Sequence, residues 1–127
     1  MKRVVITGIG AITPVGNDAP STWESICAGR HGFSKIDRFD TEDMGVSVAA
    51  LLKDFDPTPI VDKKEQRRTD PYCQLALCAA AEALKDCGSD LKDLDPYRVG
   101  VIVGSGIGGM QTFEENHQKF LEKGPGR

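Results

Sequence analysis

The sequence has no apolar run long enough to cross a bilayer, which argues against a membrane-spanning protein. Its four cysteines include no CxxC pair, so a zinc ribbon or a thioredoxin-like motif has no support. It also has no excess of basic residues, because 16 lysines and arginines are set against 19 aspartates and glutamates. The resulting net charge of -3 argues against a general nucleic-acid or membrane-surface binder.

What the sequence contains is typical of one globular unit. Its 127 residues fit a single domain, and 39% hydrophobic with 28% charged residues permits a packed core. The 14 glycines indicate tight turns. An acidic chain of this kind is expected in the cytoplasm, where thiols stay reduced, and we interpret its cysteines as small buried hydrophobic residues.

Apolar strand-like segments alternate with helical patterns along the chain. Asp70-Pro71 is a strong helix start, and an alanine-rich stripe follows as far as Gly88. The alanines suggest close approach to a neighbouring element. The predicted strands are residues 3–7, 46–49 and 99–103. Two further helices are predicted. One starts at a capping-box pattern at residues 21–24, and the other spans residues 112–123. This order predicts an α/β fold with mostly parallel sheet strands and packed helices.

A glycine-rich loop at residues 104–109 follows the last predicted strand. Its spacing matches the G-x-G-x-x-G pattern, in which glycines let backbone amides approach a pyrophosphate. The pattern belongs on the first strand-to-helix turn, however, and the early turn at residues 8–13 lacks the third glycine. A nucleotide-binding α/β module is therefore one hypothesis, and glycines that only permit tight packing are the other.

A second feature is a cluster of basic residues. Lys64, Arg67 and Arg68 are spaced so that they share one side of a helical turn. On composition alone, this cluster indicates a solvated helix face.

Several short motifs together carry a resemblance to a known family. They occur in its order and spacing, and they are RVVITGIG at 3–10, TPVGN at 13–17, TW at 22–23, FDT at 39–41, KEQRR at 64–68 with Asp70, GSGIGG at 104–109 and EENH at 114–117. In these motifs the chain resembles the β-ketoacyl-acyl-carrier-protein synthases, specifically the type II elongating enzymes of fatty-acid biosynthesis. Polyketide ketosynthases and chain-length factors share this opening and remain an alternative.

The resemblance implies a thiolase-like fold and an acyltransferase that performs a decarboxylative Claisen condensation. Residues 1–127 would form the N-terminal part of the family's N-terminal half, an incomplete domain. The family's nucleophilic cysteine and its two catalytic histidines come after the point where this sequence stops. We therefore expect no catalytic residue in this chain and no activity of the chain alone.

The resemblance also implies two functional surfaces. Lys64, Arg67, Arg68 and Arg127 match positions that dock an acidic acyl carrier protein. Ile107, with Gly106 and Gly108 beside it, matches a loop that forms part of the acyl-pocket wall. No metal or bound cofactor is expected, because phosphopantetheine arrives on the acyl- or malonyl-loaded carrier. The parent enzyme is expected to be a homodimer.

Overall fold

The computed structural model describes residues 2–89, 91–92 and 94–126. Its elements, in chain order, are α1 (Ala19–Cys27), β1 (Phe33–Lys35), β2 (Val48–Ala50), α2 (Lys63–Gln66), α3 (Pro71–Cys87), a 3-10 turn (Pro96–Arg98) and α4 (Met110–Lys123).

The sheet in the described part of the chain is a two-stranded antiparallel ribbon. β1 pairs with β2 so that Phe33 lies opposite Ala50 and Lys35 opposite Val48. The bond from the Ile36 amide to the Ser47 carbonyl, 2.9 Å, continues this pairing beyond the strands. The strand predicted at residues 46–49 is therefore confirmed, beginning two residues later and ending one residue later, whereas β1 lies in a region that the sequence predicts as a loop.

The structure departs most from the prediction at the two segments predicted to be parallel strands. Residues 3–7 and 99–103 are not strands in the described part of the chain, and their apolar side chains are open to solvent. Val4 is 92% exposed and Ile102 is 97% exposed. A strand requires a partner for its backbone hydrogen bonds, and β-branched composition does not supply one. These segments therefore expose apolar side chains that the sequence pattern predicts to be buried on both faces of a sheet.

α3 begins and ends where its sequence signals indicate. Asp70 is the N-cap with extended backbone, Pro71 opens the first turn, and Gly88 follows the last turn with φ +66°. Proline fits this position because its missing amide would have no partner there, and glycine accepts the left-handed conformation without steric cost. Both predicted ends of this helix are confirmed.

α1 begins three residues earlier than the capping-box pattern predicts. Asp18 is its N-cap, and the side chain accepts a hydrogen bond of 2.7 Å from the Ser21 amide. Aspartate competes well with serine for this position, and Pro20 is compatible with the first turn. Ser21 therefore lies inside the helix instead of capping it.

The segment that follows residues 3–7 lies directly on α3. A Cβ placed on Gly10 would lie 2.8 Å from the Ala83 backbone nitrogen, and one on Gly8 would lie 2.8 Å from the Cys87 Cβ. Only glycine against small helix residues permits two backbones to approach this closely. The close approach predicted from the alanine-rich stripe of α3 is confirmed.

Two carboxylates of α3 hold this segment through its backbone amides. The Glu82 carboxylate accepts hydrogen bonds from the amides of Ala11 and Ala19, both 2.8 Å long. Asp86 accepts one from the Ile9 amide at 2.9 Å. Ala19 is the first residue of α1, so Glu82 joins three parts of the chain.

Few apolar side chains are buried within the described residues. Val61, at 3% exposure, is the buried hydrophobic residue there, and α3 and α4 contain no fully buried side chain. Within the same residues, no helix is both long enough and apolar enough to cross a membrane.

The contact between residues 8–11 and α3 makes a prediction about stability. We expect Gly10→Ala to lower the free energy of unfolding by about 1–3 kcal/mol, because the new methyl group would overlap the α3 backbone. Gly45→Ala is the matched control, since no atom lies within 4 Å of the Cβ that it would add. Urea unfolding followed by circular dichroism measures both variants, and equal stability of the two would contradict the packing described here.

Candidate functional site

The basic cluster lies on a segment that the Gln74 side chain ties to α3 and that Gln66 braces from within. Nε2 of Gln74 donates to the carbonyls of Gln66 and Thr69, each at 3.0 Å. Nε2 of Gln66 donates to the carbonyl of the buried Val61 at 2.7 Å. These bonds satisfy carbonyls before, at the end of and after α2, a helix of only four residues that would be marginal by itself.

The cationic groups of this segment face solvent. Lys64, Arg67 and Arg68 are all exposed, and within the described residues none of them forms an ion pair. Lys64 lies in α2, Arg67 caps it, and the Arg68 amide bonds to the Glu65 carbonyl at 2.9 Å. The three residues therefore lie in or directly after α2 with their charged groups exposed, and only Lys64 is within the helix itself. Arg127 lies outside the described residues.

The glycine-rich loop lies between residues 99–103 and α4. Ile107 is 78% exposed, and nothing lies within 4 Å of a Cβ placed on Gly106. Gly108 has φ +78°, and its amide donates to the Ser105 hydroxyl at 3.0 Å. The loop is thus folded back on itself, with the isoleucine presented outward.

The carboxylate of Asp70 lies at the start of α4. It accepts a hydrogen bond from the Thr112 hydroxyl, and a Cβ on Gly109 would overlap it. A phosphate bound at this helix N-terminus would face a negative charge at close range. The geometry therefore disfavours the hypothesis that this loop binds a dinucleotide.

An open groove of about 1180 Å³ lies between α1, residues 54–60 and α3. Its apolar lining includes Trp23, Ile26, Phe55 and Ile60. Ile107, the predicted acyl-pocket residue, is not among the lining residues. The groove and the two predicted surfaces are therefore separate features of the described chain.

The cysteines occupy different surroundings. The sequence predicts four buried cysteines, whereas Cys27 is exposed and the other three are only half-buried. Burial, with a smaller contribution from the nearby Asp56, raises the pKa of the Cys78 thiol. A raised pKa lowers the thiolate fraction, which is the opposite of what a catalytic nucleophile requires.

No metal centre can be assembled from the residues that the structure describes, since no group of three or more His, Cys, Asp or Glu side chains could hold an ion there.

Comparison with known families identifies this architecture. The family described as "Beta-ketoacyl synthase, N-terminal domain" matches residues 1–125. This chain belongs to the β-ketoacyl synthase family. The predicted family, with its partial thiolase-like α/β fold, is confirmed.

Relatives in two bacteria share the sequence over nearly its whole length. The chain is 51% identical, over 99% of its residues, to a 3-oxoacyl-[acyl-carrier-protein] synthase 2 of Staphylococcus aureus. It is 41% identical over the same share to the protein of that name in Synechocystis. It spans 30% of the length of each of these synthases.

Solved ketosynthase structures share the fold. The ishigamide ketosynthase/chain length factor superposes with a TM-score of 0.83 at 30% identity, over 97% of this chain and 30% of that one. A second match is in the structure of a type II polyketide synthase acyl carrier protein in complex with its ketosynthase. It superposes with a TM-score of 0.75 at 30% identity, over 97% of this chain and 33% of that one.

Sequence reasoning missed three parts of this β-ketoacyl synthase segment. It assigned no role to Glu82 or Asp86, it used Asp70 as the start of α3 and as part of a family motif but predicted no contact with α4, and it did not find the groove. For the two α3 carboxylates a signal was present, because acidic residues four positions apart share one face of an alanine-rich helix. Neither the partner of Asp70 nor the groove could be read from spacing, since both depend on contacts between distant segments.

The raised pKa of Cys78 leads to a test of thiol reactivity. At neutral pH we expect iodoacetamide to alkylate Cys78 several-fold more slowly than the exposed Cys27, because the thiolate is the reacting species and burial also limits access. Peptide mass spectrometry of the native protein over time measures both rates. Equal rates, or faster modification of Cys78, would contradict this assignment.

Proposed function

We propose that this chain forms the N-terminal portion of a 3-oxoacyl-acyl-carrier-protein synthase that elongates fatty acyl chains. The observation that carries the proposal is the 51% identity to such a synthase across 99% of the chain. The activity, substrates and partners belong to the whole synthase, of which a chain of this length supplies about one third. Cytoplasmic location and a homodimeric synthase are part of the same proposal.

The proposed reaction is an acyl transfer followed by a condensation. A cysteine thiolate outside this chain displaces the carrier thiol and takes the acyl group as a new thioester. Malonyl carrier protein then loses carbon dioxide, and the electron pair of the broken bond forms the new bond to the acyl carbon. The cysteine leaves as a thiolate, and 3-oxoacyl carrier protein is the product. No metal or redox group is needed for this balance.

The contribution proposed for α2 and the residues after it is recognition of an acidic carrier protein. Lys64, Arg67 and Arg68 present three positive charges that are unpaired within the described residues and sit on a turn fixed by Gln74. Opposite charge on the carrier would accelerate encounter and set its orientation. A related ketosynthase has been solved with an acyl carrier protein bound. Arg127 is proposed to extend the same recognition.

The contribution proposed for the glycine-rich loop is part of the wall of the acyl pocket. Ile107 presents its apolar side chain outward, between Gly106 and Gly108. Such an exposed aliphatic group is available for contact with an acyl chain or with other parts of the synthase that close the pocket.

A polyketide ketosynthase or a chain-length factor is the second candidate. It is favoured by the solved structures, which come from polyketide-type systems. Their identity to this chain is 30%, however, against 51% for the synthase of Staphylococcus aureus. The fatty-acid reaction is therefore the better supported of the two.

Charge reversal tests the proposed carrier surface. In the synthase that carries this chain, we expect Lys64→Glu, Arg67→Glu and Arg68→Glu together to weaken binding of acyl carrier protein about tenfold or more at low salt, because they replace attraction with repulsion. Titration calorimetry measures the dissociation constant.

The matched control reverses three other exposed cations, Lys35, Arg38 and Lys53, and changes the net charge equally. We expect a much smaller loss of affinity in this control. An equal loss in both triple variants would indicate a nonspecific effect of net charge and would contradict docking at α2.

Labelling of the isolated chain tests whether its own cysteines take part in acyl transfer. We expect no transfer of radiolabelled acyl groups from acyl carrier protein to this 127-residue polypeptide, whereas the whole synthase should be labelled. An acyl thioester on Cys27, Cys73, Cys78 or Cys87 would overturn this expectation.

A further inference from the structure

The start of α4 and the start of α3 share one carboxylate. Asp70 is the N-cap of α3 by its backbone, yet its side chain makes no capping bond to that helix. α4 begins after Gly109, which has no side chain with which to cap the helix. The Asp70 carboxylate instead accepts the Thr112 hydroxyl in the first turn of α4. The Asp70 carboxylate therefore lies at the N-terminus of α4, where the free backbone amides favour a negative charge.

The same contact fixes the C-terminal end of the glycine-rich loop. The carboxylate fills the space that a side chain at position 109 would occupy. The Met110 amide bonds to the Gly108 carbonyl at 3.2 Å, and the Phe113 amide bonds to the Gly109 carbonyl at 2.9 Å. The residues immediately after Ile107 are thus held by α3 through Asp70.

The other end of the loop has fewer restraints. The Gly108 amide bonds to the Ser105 hydroxyl, whereas Cβ atoms on Gly104 or Gly106 would meet open space. A loop with four glycines, whose apolar residue is mostly exposed, gains little rigidity from its own packing. Its position therefore depends on where α4 begins.

We propose that Asp70, acting through Thr112, is a positioning residue that sets the place of Ile107 and thereby the acyl-chain selectivity of the synthase. This inference rests on the proposed function for its selectivity part, because Ile107 must contact the acyl chain. The anchoring itself depends only on the contact between α3 and α4.

The test of selectivity uses the synthase that carries this chain. The measurement is the ratio of kcat/KM for a short-chain to that for a long-chain acyl carrier protein. We expect Asp70→Ala and Thr112→Val to change this ratio in the same direction as Ile107→Ala, because each displaces or removes the same side chain. Thr112→Ser keeps the hydroxyl and is expected to keep the wild-type ratio.

Asp18→Asn is the matched control for a change at a helix cap. Asp18 caps α1 through the Ser21 amide, far along the chain from the loop. We expect it to leave the ratio unchanged even if it lowers stability. A ratio that stays at the wild-type value in Asp70→Ala and Thr112→Val, while Ile107→Ala changes it, would overturn the proposal.

Amide hydrogen exchange tests the anchoring without any activity. In Thr112→Val we expect the amides of Gly108, Met110 and Phe113 to exchange about fivefold faster than in the wild type, as for loss of a helix cap. Thr112→Ser should exchange as the wild type does, and this pair of variants avoids dependence on the folding of Asp70→Ala. Unchanged exchange in Thr112→Val would overturn the anchoring.

The two measurements separate the possible failures. A synthase that condenses neither substrate contradicts the proposed function, and the exchange rates still decide the anchoring. If Ile107→Ala leaves the ratio unchanged, the loop does not set selectivity and the inference about Asp70 is overturned at that step.

Discussion

The hydrogen bonds that Glu82 accepts from Ala11 and Ala19 are the contact on which the rest of this structure depends. They are charge-assisted bonds to two backbone amides that would otherwise lack partners, one of them at the start of α1. Because very little apolar surface is buried within the described residues, the arrangement of α1 and residues 8–11 on α3 is determined mainly by polar contacts and by the close backbone approach at Gly10. Asp86 accepts a further hydrogen bond of this kind from the Ile9 amide.

α3 positions both surfaces that are proposed to serve the synthase. At its N-terminal end, Asp70 holds the start of α4 and so the loop that carries Ile107. One turn further, Gln74 holds the carbonyls beneath the basic cluster. The proposed carrier-docking residues and the proposed acyl-pocket loop thus depend on one helix, with Arg68 and Asp70 two positions apart. A single rigid element can keep these two surfaces at a constant distance, which the proposed delivery of an acyl group from a docked carrier would require.

The sequence was most informative where local chemistry decides the structure. Asp70-Pro71 and Gly88 fix the ends of α3 because capping depends on neighbouring residues only. It was least informative about strands. Residues 3–7 and 99–103 have strong β composition but no ladder partner within the described residues, whereas β1 pairs in a segment of mixed composition that indicates a loop. Pairing depends on a second segment, so composition alone cannot establish it.

By itself the sequence determined the family, the ends of α3 and the candidate cations, because ordered motifs and caps are local and specific. Tertiary structure alone decided that the Asp70 carboxylate turns toward α4 instead of capping α3, that Glu82 joins α1 to residues 8–11, and that a groove separates α1 from α3. Each of these joins residues that are dozens of positions apart. A side chain chooses among several possible partners only when the fold brings one of them within hydrogen-bonding distance.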